Sequence, residues 1–256
     1  MADDSERPLE TGWLPDTPVD DSVLRQFMYN QADVNAIIAR ARGGRAEERD
    51  DVLLADADSP VPLYNQAILA RPALRADDPV FDAVDEFFAR SGRPLTLLSL
   101  WPTPDLTPRG WSLMGHPAFV VRAPGPVAAE RPPGVDVQRA HSADDYRTAD
   151  QIMVDGFVFD EARGEPPGTM LPHGTGGSGL EVYLGRYEGQ AVAVGELFVR
   201  RGVVNLCGGA TLPEARRRGV WRALVWARVA VAADLPAVAF TSDMSRPGFV
   251  RMGFLP

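Results

Sequence analysis

The sequence predicts an α/β fold: a mixed, mostly antiparallel sheet flanked by helices and built as two similar halves. Three observations predict it. Residues 181–211 read as three strands joined by the short turns Glu188-Gly189 and Arg201-Gly202. A helix with one apolar face follows, then a further apolar strand from Ala237 to Thr241, an order that gives a layered α/β sheet. The first half passes through a similar order of elements before a proline- and glycine-rich segment at 124–134.

The elements follow in chain order. Residues 1–21 are rich in Asp, Pro and Thr and read as a loose acidic arm. Leu24 to Ala41 carries Leu24, Phe27, Met28, Val34, Ile37 and Ile38 at roughly helical spacing. Leu63 to Leu69 reads as a strand, and Pro79 to Arg90 as a helix with Val80, Val84, Phe87 and Phe88 on its apolar face. Leu95 to Leu100 is wholly apolar, as in a strand buried inside a sheet, and Ala118 to Arg122 is another strand. Residues 124–134 cannot continue a helix or a central strand, so they divide a first domain at 22–123 from a second at 135–256.

In the second half Val135 to Arg139 alternates like an edge strand, and Ser142 with Asp144 and Asp145 opens a helix to about Val154. Gly164 to Gly179 is a long loop rich in glycine and proline. The three strands come next, the last from Val203 to Thr211. A helix from about Ala215 to Ala233 then aligns Val220, Ala223, Leu224, Ala227 and Val231. Arg246 to Met252 forms a last helical turn.

Composition narrows the function. A net charge of -9 repels nucleic acid and anionic membranes, so neither is the expected partner. All 26 basic residues are Arg, which excludes a Schiff-base lysine and a phosphate-loop lysine. With Cys207 as the lone cysteine, no intrachain disulfide and no cysteine-based metal site can form, which fits a reducing, cytoplasmic setting. No apolar run approaches the roughly 20 residues that span a bilayer. His116, His141 and His173 show no metal-ligand spacing, and no metal is expected. Cys207, Trp221 and Trp226 read as packing residues.

The chemistry concentrates where a strand ends at Ala210-Thr211-Leu212 and a helix begins around Arg216-Arg217-Arg218-Gly219-Val220-Trp221-Arg222. The first amides of a helix have no intrahelical partner, and with the helix dipole they form an anion site. Such a site contributes about 0.3–1 kcal/mol per charge. Gly219 lets a phosphate approach the backbone, and the arginines attract a highly charged ligand.

This stretch resembles the pyrophosphate loop of the GNAT superfamily of acetyltransferases, whose pattern is Arg/Gln-x-x-Gly-x-Gly/Ala; Arg216 and Gly219 match, and Trp221 replaces the second glycine. Ser242 to Phe254 resembles the superfamily's second signature, a short helix ending in Gly-Phe. The resemblance covers roughly residues 135–256 and implies acetyl transfer from acetyl-CoA, as cosubstrate, to an amine of a small-molecule or peptide acceptor. It implies a splayed strand whose backbone at Ala210, Thr211 and Leu212 bonds the pantetheine, with Arg216 to Arg222 around the pyrophosphate. The Trp221 ring is expected to crowd the cofactor groove. The amine needs a base, for which Glu196 is the candidate; the alternative is an edge glutamate facing solvent. The family's tyrosine, four residues before Gly-Phe, falls on Phe249, so Ser245 or solvent must protonate the leaving thiolate. Absence of that tyrosine keeps open a non-catalytic acyl-CoA-binding or sensor module.

The first half resembles a degenerate copy of the same fold, structural in role, because Asp77 and Asp78 stand where phosphate would sit at the helix beginning with Pro79. The superfamily sheet continues past a Gly-Phe such as Gly253-Phe254. The first half can supply the next strand, or a partner copy in a homodimer, or the sheet edge is short.

Overall fold

The computed structural model describes residues 22–127, 131–157, 160–172, 175 and 177–256. The expected arm at 1–21 and His173 lie outside the described residues. Helix α1 spans Val23–Ala41, with the Ser22 hydroxyl accepting the Arg25 amide at its start. Strands β1 (Arg45–Glu48), β2 (Val52–Asp56) and β3 (Asn65–Leu69) are antiparallel neighbours. Helix α2 (Pro79–Phe88) then leads to β4 (Thr96–Leu98), parallel to β3, in a four-stranded sheet ordered β1-β2-β3-β4.

The rest of the chain forms β5 (Ala118–Arg122), β6 (Val135–Arg139), α3 (Ala143–Gly156), β7 (Leu180–Tyr187), β8 (Gln190–Arg200), β9 (Val203–Asn205), β10 (Gly209–Thr211), α4 (Val220–Val229), β11 (Ala237–Thr241) and α5 (Arg246–Arg251). The strands form one sheet, ordered β5-β11-β9-β8-β7-β6, with β10 beside β8. The capping box at Ser142 forms as expected, Ser142 and Asp145 each bonding the other's backbone. Each half therefore repeats one order: helix, three antiparallel strands, helix, and a strand parallel to the third.

Four expectations are corrected. Strands β1 and β2 were not foreseen, because Arg45-Ala46-Glu47-Glu48 is too charged to read as a strand. The apolar run at Leu95 to Leu100 forms the edge strand β4, half-buried rather than enclosed. The long C-terminal helix starts at Val220 instead of Ala215, since Pro213 and left-handed backbone at Arg217 and Gly219 interrupt it. The division at 124–134 does not separate the sheets: β5 precedes it, yet pairs antiparallel with β11 from Ala237↔Arg122 to Thr241↔Ala118. The strand beyond Gly-Phe thus comes from the first half, and Leu255 pairs with Val121 on its outer side.

Helix α1 joins the two sheets. Phe27 packs among Phe119, Val203, Val238 and Phe240, Met28 and Tyr29 pack on Leu53 and Ile68, and Val34 and Ile38 enter a core shared with α3 and β8. A helix buried on several sides must satisfy its polar groups locally. Asn30 donates to the Arg200 carbonyl at 2.9 Å and accepts from Asn205 at 2.9 Å, while Asn35 donates to Gln66 on β3. No helix among the described residues is long and apolar enough to cross a membrane.

Phe27 is 1% exposed at the junction of both halves. Phe27→Ala is expected to cost about 3–5 kcal/mol, and urea unfolding followed by both fluorescence and far-UV dichroism should remain a single transition. Two separated transitions would show that the halves fold independently.

Candidate active site

The parallel strands β9 and β11 part company at a defined point. They pair at Val204 and Asn205, and their last bond runs from the Leu206 amide to the Val238 carbonyl at 2.9 Å. The chain then bulges: the Cys207 and Gly208 carbonyls both accept the Glu196 amide, at 3.0 and 2.7 Å, with Gly208 at φ +40. Past the bulge β10 follows β8 alone, so a cleft opens toward the C-terminal ends of β10 and β11. The expected single strand from Val203 to Thr211 is in fact two strands, and the bulge separates them.

Antiparallel pairing fixes which peptide groups line that cleft. The Leu212 amide bonds the Val192 carbonyl at 3.0 Å, so Leu212 and, two residues earlier, Ala210 turn their backbone toward β8. Gly209 and Thr211 turn theirs the other way, into the opening. Of Ala210, Thr211 and Leu212, all expected to bond a ligand, Thr211 alone faces the cleft; Gly209 was missed, although a Gly-Gly pair inside an apolar strand marks a bulge.

At the cleft mouth Gly219 caps α4 with φ +83, and no side chain bonds the helix start. Ala223 is the first residue of α4 to bond back, to the Gly219 carbonyl at 3.0 Å, which leaves the amides of Val220, Trp221 and Arg222 without helical acceptors. A side chain at Gly219 would strain the left-handed backbone and lie 2.6 Å from Pro132 Cγ. The arginines separate. Arg216 turns back to the Thr211 and Gly156 carbonyls, at 3.2 and 3.5 Å, and Arg218 lies 4.7 Å over the Tyr187 ring. Arg217 and Arg222 are exposed. Trp221 turns its ring edge-on to Phe249 at 5.0 Å and over Gly248, so the ring expected to crowd the groove packs on α5.

The matching helix start in the first half is closed. Asp78 caps α2 by accepting the Val80 amide at 3.0 Å, and its hydrogen bond with Arg71 holds its carboxyl down at about 2. A bound carboxylate already occupies the place an anion would take.

Glu196 stands in the centre of β8 and is 3% exposed, not at a solvent-facing edge. Its neighbours two residues away, Val194 and Phe198, belong to the core shared with Tyr64, Met170 and α3, so its side chain enters the same apolar layer. One carboxyl oxygen, Oε1, is buried with no hydrogen-bond partner among the described residues, and the other touches Gly208 at the bulge. Burial raises the carboxyl to about 7, a rise partly offset by the Arg228 cation. Burial likewise pushes the Cys207 thiol well up, which fits a packing residue rather than a nucleophile.

The remaining candidates fall outside this centre. The Ser245 hydroxyl donates to the Ser242 carbonyl and accepts the Ser242 amide, in a turn at the end of β11. Phe249 is buried between Trp221 and Phe254. His116 and His141 are exposed, and the described residues contain no cluster of metal-ligating side chains.

No protein-family model matches the sequence, and no curated protein matches it. The structure is similar to a GCN5-related N-acetyltransferase from Kribbella flavida, with a TM-score of 0.61 and 22% identity over 89% of this chain and 90% of that one. It is also similar to a functionally unknown conserved protein from Staphylococcus epidermidis, with a TM-score of 0.57 and 14% identity over 82% and 88% of the two chains. A Drosophila protein matches with a TM-score of 0.50 and 14% identity over 91% and 86%. These likenesses establish the fold.

The Glu196 carboxyl rises from an ordinary 4.5 to about 7 on folding, so the folded chain holds this proton more tightly than the unfolded chain. The associated stability is complete below pH 4.5 and is lost as pH rises through 7. Relative to Glu196→Gln, the wild type is expected to lose about 2–3 kcal/mol between pH 5 and pH 8, measured by urea unfolding at both values. Parallel pH profiles for the two proteins would show that the carboxyl titrates normally.

Proposed function

From the GCN5-related N-acetyltransferase fold, we propose that this chain is an acyltransferase that moves an acetyl group from acetyl-CoA to an amine. The observation that carries this reading is the uncapped start of α4 beside the cleft between β10 and β11. Three free amides and the helix dipole suit a pyrophosphate. Arg217 and Arg222 add exposed positive charge there, and the Gly209 peptide group and the Thr211 amide suit an extended amide-bearing arm along the cleft. The acceptor we propose is a small-molecule or peptide amine, met in the cytoplasm; neither nucleic acid nor membrane enters the reading.

Only a neutral amine attacks the thioester. Glu196, with a carboxyl near 7, takes the ammonium proton directly or through water. The amine nitrogen bonds the carbonyl carbon, the carbon–sulfur bond breaks, and the sulfur leaves as thiolate. Phe249 has no proton to give it, so Ser245 or solvent supplies one.

Phe249 also favours a second reading, a non-catalytic acyl-CoA-binding or sensor module. Release of free CoA with a panel of amines separates the two: turnover supports the enzyme, and tight binding without release supports the module. Glu196→Gln is expected to lower kcat by about 10²- to 10⁴-fold with unchanged acetyl-CoA affinity. Arg222→Glu sets a negative charge at the third position of α4 and is expected to weaken acetyl-CoA binding about tenfold, or about 1.4 kcal/mol, by isothermal titration. Equal affinity in Arg222→Glu and wild type would remove the proposed pyrophosphate site.

A further inference from the structure

Beneath the bulge lies a cation with no acidic partner. Arg228, on the sheet-facing side of α4, is 2% exposed, and no carboxylate within 4.0 Å pairs with it among the described residues. Burying a guanidinium is costly unless its donors are satisfied. Here they go to backbone carbonyls: Nη1 donates to Glu196 at 2.7 Å and to Cys207 at 3.3 Å, and Nε donates to Leu224 at 3.2 Å. The two strand carbonyls belong to two of the three residues that form the bulge. The group lies flat on Gly195, where a Cβ would stand 2.6 Å from Cζ and 2.7 Å from Nη1. Glycine at 195 and arginine at 228 therefore form a fitted pair, on the face of β8 opposite the Glu196 carboxyl.

We propose that Arg228 is a positioning residue for Glu196, clamping the Glu196 and Cys207 carbonyls from the α4 side so that the bulge keeps its shape and the carboxyl stays against Gly208 at the closed end of the cleft. The inference rests on Glu196 being the base of the acyl-transfer reading, but its geometry does not. A neutral amide could donate to both carbonyls but would bring no charge. The guanidinium fork satisfies both strand carbonyls through the two N–H bonds of Nη1, anchors Nε on Leu224, and sets a positive charge behind the carboxyl, so deprotonation of Glu196 occurs at a lower pH than burial alone would allow.

Other groups on the carboxyl's own side are already engaged. Tyr64 donates to the Met170 carbonyl at 2.7 Å, Asp150 of α3 accepts the amides of Gly168, Met170 and Leu171, and Arg42 at the end of α1 binds the Ala57, Gly168 and Thr169 carbonyls. Cys207 from the bulge stays a neutral thiol. Arg228 is thus the cation that acts on the Glu196 carboxyl, and it does so through the sheet.

The test is a carbon-13 titration of the Glu196 carboxyl in the full chain, with the pH profile of kcat/KM beside it. In Arg228→Met the titration midpoint is expected to rise, and kcat/KM at pH 7 to fall about tenfold, with KM for acetyl-CoA unchanged. Arg228→Lys keeps the charge without the fork and is expected to fall between Arg228→Met and wild type. Gly195→Ala displaces the guanidinium with Arg228 in place and is expected to shift the midpoint the same way; it carries the test if Arg228→Met does not fold. A midpoint that stays at the wild-type value in Gly195→Ala and in any folded Arg228 variant overturns the proposal. Failure of the wild type to release CoA would instead sink the acyl-transfer reading, and the titration would still decide the role of Arg228.

Discussion

The site depends on one shared hydrogen bond. The Glu196 amide is bonded by two consecutive carbonyls, of Cys207 and Gly208, where an unbroken ladder would offer one. The extra residue turns the strand away from β11 just after the Leu206–Val238 bond. From that point Gly209 and Thr211 have peptide groups with no strand beside them, and the chain emerges at the start of α4. The cleft, its lining amides and the placement of Glu196 all follow from this two-against-one register.

Such an arrangement needs a rigid surrounding, since an unpaired strand edge and a buried carboxyl both oppose folding. The surrounding comes from both halves of the chain. Helix α1 fills the space between the sheets, and β5 closes the edge of β11 that would otherwise be open. The first half thus contributes α1 and β5 to the packing around the second sheet. Its own helix start is capped by Asp78, whereas that of α4 carries no side-chain cap.

The helix start on α4 differs from that on α2 by small changes. Glycine replaces a capping aspartate at the first position, and the backbone before it takes left-handed turns at Arg217 and Gly219. These turns shorten the helix and spread the arginines, so Arg216 braces the strand end while Arg217 and Arg222 remain exposed. Charge around the site is thus distributed rather than clustered.

By itself the sequence determined the α/β class, most of the elements and the strand-to-helix junction around Arg216 to Arg222, because periodicity, caps and glycine positions report local geometry, although it set the helix start several residues early. It also pointed to Glu196, a lone carboxylate in an apolar run, but could not say which way it faced. Tertiary structure alone decided that Glu196 is central and buried, that Leu212 bonds β8 while Gly209 faces the cleft, that β5 belongs to the second sheet, and that Arg228 sits behind the bulge. Each of these depends on pairing between residues distant along the chain. A strand's neighbours and a side chain's dielectric surroundings are set by long-range register, which local pattern does not record.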